Sequence, residues 1–172
     1  MDDESAFREF ASARMGKLSS VAYLLTGDHH AAEDLVQAVL VKIARNWRRI
    51  HAVSAPDAYV RQMLYHEHVS AWRRRGDEEP VAVLPEPPPS ADLADRAVRR
   101  ILLQQALARL TARQRAVIVL RFFEDLSEAE TADVLGCSVG TVKSQTHHAI
   151  GRLRVLAPEL ADLYHQAEEF AG

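Results

Sequence analysis

Five of the seven prolines of this 172-residue chain fall within residues 76–90, GDEEPVAVLPEPPPS, together with four carboxylates. Proline fixes φ, lacks an N–H and restricts the residue before it, so this stretch can be neither helix nor central strand and is expected to be extended. It divides the chain into two pieces, each with room for one small domain. On both sides apolar residues recur at intervals of three and four, the period of amphipathic helices. The expected fold class is therefore all-α, with two small helical domains joined by a Pro-rich acidic linker. The expected boundaries are 1–75, a linker at 76–90, 91–157, and a tail helix at 158–172 carrying Leu160, Leu163, Tyr164, Ala167 and Phe170.

The most patterned segment is 127–156, SEAETADVLGCSVGTVKSQTHHAIGRLRVL. Ser127 with Glu130 three residues on is a full capping box, and Gly136 follows Leu135 where a left-handed C-cap is wanted. Ser138 can cap a second helix two residues later, so the two helices must turn sharply and pack across Ala132, Val134 or Leu135, and Val142. In the second helix Val139, Val142, Thr146, Ala149, Ile150, Leu153 and Leu156 form one apolar stripe. The other side carries Thr141, Ser144, His148, Gly151 and Arg154, flanked by Lys143, Gln145, His147 and Arg152, and no acid occurs between Asp133 and Glu159. A carboxylate-free face opening at a helix N-terminus suits phosphate and major-groove base edges, as in a helix-turn-helix. The competing reading is a solvated helix hairpin within an all-helical core.

Composition excludes several classes. With 48% apolar and 26% charged residues the chain is globular, not a disordered tail. No run of 18 apolar residues and no export leader occurs, so membrane insertion is not expected and the protein is read as cytoplasmic. The single cysteine, Cys137, cannot form an internal disulfide and fits simple packing in the turn. A net charge of −3 would suit a DNA binder poorly if spread evenly, but basic residues cluster at 42–49, 73–75 and 143–154. No HExxH, CxxC or nucleophile elbow is present, so neither catalysis nor a metal or other cofactor is expected.

In the N-terminal piece Phe7, Phe10, Ala11, Met15, Leu18, Val21, Ala22 and Leu25 mark a first helix that stops at Gly27, and Asp28 caps a second. The inward stripe of the second helix is Ala32, Val36, Val39, Leu40, Ile43 and Trp47. Leu35, Gln37, Ala38 and Val41, beside Asp34, lie off that stripe and form a mixed apolar and polar surface. It suits either another protein's helix or a further helix of the same domain. Residues 46–53 read as a connection in which Trp47, Arg48, Arg49 and His51 could stack on and neutralise single-stranded nucleic acid; equally, Trp47 could be core. A third helix starts near Ser54, with Pro56 in its first turn, and ends in Arg73, Arg74, Arg75. Beyond the linker, a helix carrying Leu93, Val98, Ile101, Leu102, Ala106 and Leu110, then a capping box of Thr111 and Gln114 opening another, should cover the helix-turn-helix.

These segments resemble the sigma-70 superfamily, specifically the extracytoplasmic-function (group 4) RNA polymerase sigma factors of actinobacterial type, from about Phe7 to Leu156. AEDLVQAVLVKIARNW resembles region 2.2. That resemblance implies that Asp34, Leu35, Gln37, Ala38 and Val41 bind core RNA polymerase at the clamp helices of β′; the family resemblance as a whole also implies the β flap as a polymerase contact. SAPDAYVRQMLYHEHVSAWRRR resembles regions 2.3 and 2.4, which implies that Trp47, Arg48, Arg61, His66, Arg73, Arg74 and Arg75 bind and melt the minus-10 promoter element. LSEAETADVLGCSVGTVKSQ resembles region 4.2, which implies duplex minus-35 binding by Ser138, Thr141, Lys143, Ser144, Gln145, His148 and Arg152. The family usually has Asn at the position of His66 and Arg at that of His148, so the promoter sequence read here is expected to differ. Implied partners are core polymerase and promoter DNA, and an anti-sigma factor is a further candidate. The alternative is a conventional helix-turn-helix regulator acting without polymerase, which would need neither the second-helix surface nor the basic aromatic connection.

Overall fold

The computed structural model describes residues 3–75 and 91–158. The linker expected at 76–90 and all but the first residue of the expected tail helix lie outside them. The chain forms two compact units, Met1–Asp77 and Glu78–Gly172. The secondary structure among the described residues is helical throughout.

In the first unit α1 (Asp3–Thr26) and α2 (His29–Arg45) are joined by Gly27 and Asp28. Gly27 takes φ 71°, which glycine enters without a Cβ clash, and its N–H returns to the Tyr23 carbonyl at 2.8 Å. Asp28 then caps α2 by accepting from the Ala31 N–H at 2.9 Å. So short a connection lays the two helices against each other, burying Leu18, Val21, Ala22 and Leu25 against Ala32, Val36, Val39 and Ile43. The longest helix after them, α4 (Pro56–Arg75), closes the core with Val60, Leu64 and Tyr65. Arg14 of α1 pairs with Asp57 in its first turn and, by donating to Asp57 and adding positive charge, holds that carboxyl below its ordinary value. Met15, placed on the α1 stripe by its spacing, is 38% exposed at the edge of this packing.

Between α2 and α4 the structure departs from the expected irregular connection. Asn46 ends α2, its side-chain amide donating to the Lys42 carbonyl at 2.9 Å, and a separate short helix, α3 (Trp47–His51), follows. The change of direction turns Trp47 and Ile50 inward, to 6% and 0% exposure. Phe7 and Phe10 meet the Trp47 ring edge-on at 5.7 and 5.1 Å between centroids, and His51 lies 5.0 Å away. Trp47 is therefore a core residue, and its expected role in stacking on a DNA base is corrected: the faces it would offer are covered by α1 and α3.

The second unit holds α5 (Ala91–Ala108), α6 (Ala112–Ile118), α7 (Glu128–Leu135) and α8 (Val139–Leu156). Thr111 and Gln114 form the expected capping box of α6. Its continuation was not foreseen: Val119–Phe123 is a π-helical turn, with the Glu124 N–H bonding the Val119 carbonyl at 3.0 Å. Val119 and Leu120 in this turn are fully buried, continuing the buried run of Ala116, Val117 and Ile118 in α6. Asp125 then adopts φ 54°, a conformation that Asp tolerates better than most residues.

Arg115 is a further unforeseen core element, 4% exposed. Its guanidinium donates to the carbonyls of Leu107, Ala108 and Leu110 at 2.7, 2.8 and 3.2 Å, satisfying acceptors that the end of α5 leaves open. Burial pushes its pKa down to about 10, which still leaves it cationic at neutral pH. A lone arginine in a capping helix carries no periodicity signal that would mark it as buried.

Candidate nucleic-acid and polymerase interfaces

The turn that aims α8 follows the pattern read from the sequence. Ser127 and Glu130 form a reciprocal capping box, Gly136 sits at φ 63° and ψ 41°, and Ser138 accepts from the Thr141 N–H at 3.1 Å. The Cys137 N–H reaches back to the Ala132 carbonyl at 3.1 Å, closing α7 with a Schellman-type bond. Ala132, Val142 and Val117 of α6 form the cluster beneath this turn, with Leu135 and Cys137 partly buried against it. Thr146, a polar member of the inward stripe, returns its hydroxyl to the Val142 carbonyl at 2.8 Å. Val139, placed on the stripe by its spacing, is 39% exposed at the start of α8.

Opposite that core, Ser144, His148, Gly151 and Val155 follow one another at helical spacing, and all four are exposed. Thr141, half-buried, and the exposed Arg152 flank one side of this row, with His147 on the other. A Cβ added at Gly151 would meet nothing within 4 Å, so the row is locally flat. A shallow depression of about 390 Å³ lies along it, lined by His147, His148, Gly151, Arg152, Val155 and Leu156. Gln145 is half-buried at the edge. Lys143 is turned toward α7, with its ammonium 3.6 Å from Glu128. Ser138 and Thr141 share a hydroxyl contact of 2.9 Å at the helix start, where exposed backbone N–H groups favour an anion. The arrangement suits phosphate contacts at the N-terminus and base contacts along the row.

On α2, Asp34, Gln37, Ala38 and Val41 stand at i, i+3, i+4 and i+7, which makes them one continuous stripe. Asp34, Gln37 and Val41 are exposed, Val41 to 49%, and Ala38 is half-buried. Leu35 does not belong with them. It is 6% exposed, four residues before Val39 and therefore within the arc that α1 and α4 cover, so its expected place on the outer surface is corrected.

The basic groups of the first unit are held differently. Arg48 pairs with Asp3 at 2.7 Å, an exposed contact that also raises its pKa through the hydrogen bond and charge of Asp3. His66 and Arg73 are exposed and two turns apart on the outer face of α4. Arg74 is exposed beside them and donates to Glu67 at 3.1 Å. Arg61 is half-buried and lies about 140° around the helix from His66, at 100° per residue. The structure thus brings His66, Arg73 and Arg74 together and leaves Arg61 apart, close enough to Asp57 to lower its pKa. Arg75 ends α4, with its side chain outside the described set. A groove of about 520 Å³ between the start of α1 and α3 is lined by Asp3, Glu4 and Phe7 on one side and by Arg45, Arg48 and Arg49 on the other.

Comparison with known proteins covers both units. Residues 11–78 match the family model of sigma-70 region 2, and residues 100–153 match that of sigma-70 region 4. The chain is 38% identical over 155 residues to the RNA polymerase sigma-E factor of Streptomyces coelicolor, covering 90% of this chain and 87% of that protein. It is 34% identical over 146 residues to the ECF RNA polymerase sigma factor SigL of Mycobacterium tuberculosis, covering 81% of each. A solved structure of the sigma factor RpoE in complex with the anti-sigma factor NepR, from Bartonella quintana, superimposes with a TM-score of 0.64 at 30% identity, covering 89% of this chain and 97% of that one. A region 2 match is not what an operator-binding regulator acting without polymerase would show. The chain belongs to the sigma-70 family, in its extracytoplasmic-function branch, and is an RNA polymerase sigma factor.

Proposed function

We propose that the two units divide the work of promoter recognition, with α8 reading the duplex minus-35 element and α4 meeting the minus-10 strand. The observation that carries this reading is the exposed row of α8, opposite its core face and within a stretch, 134–158, that contains no carboxylate. Ser138 and Thr141 hold phosphate at the helix start, while Ser144, Gln145, His148 and Arg152 face base edges and backbone; Lys143 contributes charge once it leaves Glu128. On α4, His66, Arg73 and Arg74 contact the separated strand, with Arg48 of α3 as an outlying phosphate contact. Arg61 and Trp47 support the fold of this unit.

The Asp34, Gln37, Ala38 and Val41 stripe binds core polymerase, which places the protein's work in the cytoplasm. It positions polymerase and DNA without covalent chemistry of its own. An anti-sigma partner, such as the one held by the Bartonella relative, would act by covering this stripe or the α8 row.

Run-off transcription with core polymerase on promoter fragments tests the proposal. The full chain should start transcription at discrete sites. Asp34→Arg should lose core binding by about tenfold or more, an effect of the size seen for central interface residues, while keeping its helicity. Core affinity equal to wild type in a pull-down titration would remove the stripe from the interface.

A further inference from the structure

Glu67 is unusual among the acids of the first unit because it is buried, at 8% exposure, and bound from two helices. Lys42 of α2 donates to one carboxylate oxygen, and Arg74, two turns further along α4, donates to the other at 3.1 Å. Burying a carboxylate is unfavourable unless cations compensate it, and an apolar side chain could fill the same space against α2 without that cost. The site therefore calls for a reason to keep the charge.

Arg74 supplies one. A guanidinium presents five N–H donors in a planar fork, and the contact with Glu67 uses one nitrogen, Nη2, while 65% of the Arg74 side chain stays exposed. An arginine tethered at one nitrogen samples fewer rotamers than an untethered one and keeps its remaining donors on the outer side. The carboxylate also changes the local charge: Lys42 and Arg74 contribute two positive charges and Glu67 removes one, leaving a net charge of +1. Any phosphate is then attracted less strongly than by two uncompensated cations.

We propose that Glu67 is a positioning residue for DNA: it orients Arg74 toward the separated promoter strand and restrains binding of unrelated strands. The inference rests on the reading that the basic end of α4 meets the minus-10 strand. Glu67 itself touches no DNA and acts through Arg74.

The test uses holoenzyme assembled from core polymerase and the full chain, with two readouts. One is affinity for a single-stranded oligonucleotide of unrelated sequence across a salt series; the other is promoter opening, by permanganate reactivity. Glu67→Gln should raise the first by about threefold, with a salt slope steeper by up to one phosphate contact, and lower the second by about fivefold. A merely structural role would lower both together, and that result would overturn the proposal. Glu67→Asp keeps the charge but is one methylene too short to span both partners, so non-specific affinity should hold while opening falls. It also decides the matter if Glu67→Gln fails to fold, and wild-type opening in Glu67→Asp would then count against positioning.

In an Arg74→Ala background Glu67→Gln should cost little further opening, since both act through one contact. Additive losses would overturn the positioning role alone, leaving the minus-10 reading of α4 in place. Full opening by Arg74→Ala would instead remove Arg74 from the DNA contact, and the role of Glu67 with it.

Discussion

The two units present different electrostatics to a polyanion. In the second, α8 carries its exposed row on a helix with no acid of its own, and the nearest described ion pair, Lys143 with Glu128, lies at one flank. In the first, cations are already engaged: Arg48 by Asp3, Lys42 and Arg74 by Glu67, and Arg14 by Asp57. A phosphate approaching α8 meets a helix without carboxylates, whereas one approaching α4 or α3 meets cations whose charge Asp3 and Glu67 partly offset. On the proposed division of labour, the difference teaches why the second unit would suit direct duplex binding and the first would suit binding on polymerase, where the strand is held nearby and effective concentration offsets the weaker local attraction.

The sharpest way to break that comparison is Trp47→Ala. If Trp47 were a base-stacking residue, its removal would spare the fold. As a core residue wedged between Phe7, Phe10 and His51, it should cost the first unit about 3–5 kcal/mol. Both tryptophans of the chain lie in this unit, so the fluorescence of Trp72 during denaturation follows its unfolding while the helicity of the second unit persists. A stable first unit in this variant would return Trp47 to the DNA surface.

Acid should separate the units next. The carboxyls of Glu67 and Asp57 sit below their ordinary values of 4.5 and 3.8, chiefly through hydrogen bonds from Lys42 and Arg14 respectively. A carboxyl whose folded pKa is depressed contributes stability above its ordinary value, and that contribution is lost as pH falls through the lower, folded one. The more buried Glu67 carries most of the effect, since Asp57 is largely exposed and screened. Tryptophan-detected melting should therefore fall steeply below about pH 4.5, and Glu67→Gln should flatten that limb. An unchanged limb would show that the ion pairs do not hold the first unit together.

The comparison is sharpened at His148, which stands in the α8 row where an arginine would bring a permanent charge and a fork suited to guanine or phosphate. His148→Arg should tighten minus-35 duplex binding several-fold and steepen its salt slope by about one contact. Its effect on binding to single-stranded minus-10 DNA should be nil. Equal salt slopes for variant and wild type on the duplex would mean that the residue does not face DNA.

Gly151→Ala gives the smallest effect and the finest test. With open space at the Cβ position, alanine should stabilise α8 by about 0.5–1 kcal/mol in the free protein. If DNA lies against this flat part of the row, the same methyl should weaken duplex binding, so stability and affinity move in opposite directions. Affinity unchanged in a filter-binding titration would place the DNA further toward the start of α8.

Much of the architecture was legible because it is written in local chemistry. The caps at Asp28, Thr111, Ser127 and Ser138 and the left-handed glycines at 27 and 136 act within a few residues, so the sequence by itself determined where most helices start and stop and how α7 turns into α8. The outward side of α8 followed from the same periodicity, since one helix packed on one side leaves its other side defined, but Val155, not Arg154, completes its row. Tertiary structure decided what depends on several helices at once. Leu35 is buried because α2 is covered by both α1 and α4, which widens its inner arc beyond what one neighbour would require. Trp47 turns inward because Asn46 ends α2 one residue earlier and α1 supplies the aromatic walls. Arg115 is buried because carbonyls five to eight residues before it complete it, and Glu67 because Lys42 on another helix and Arg74 two turns along its own do. A charged residue is read as exposed from sequence, and only the partners that folding brings to it can reverse that reading.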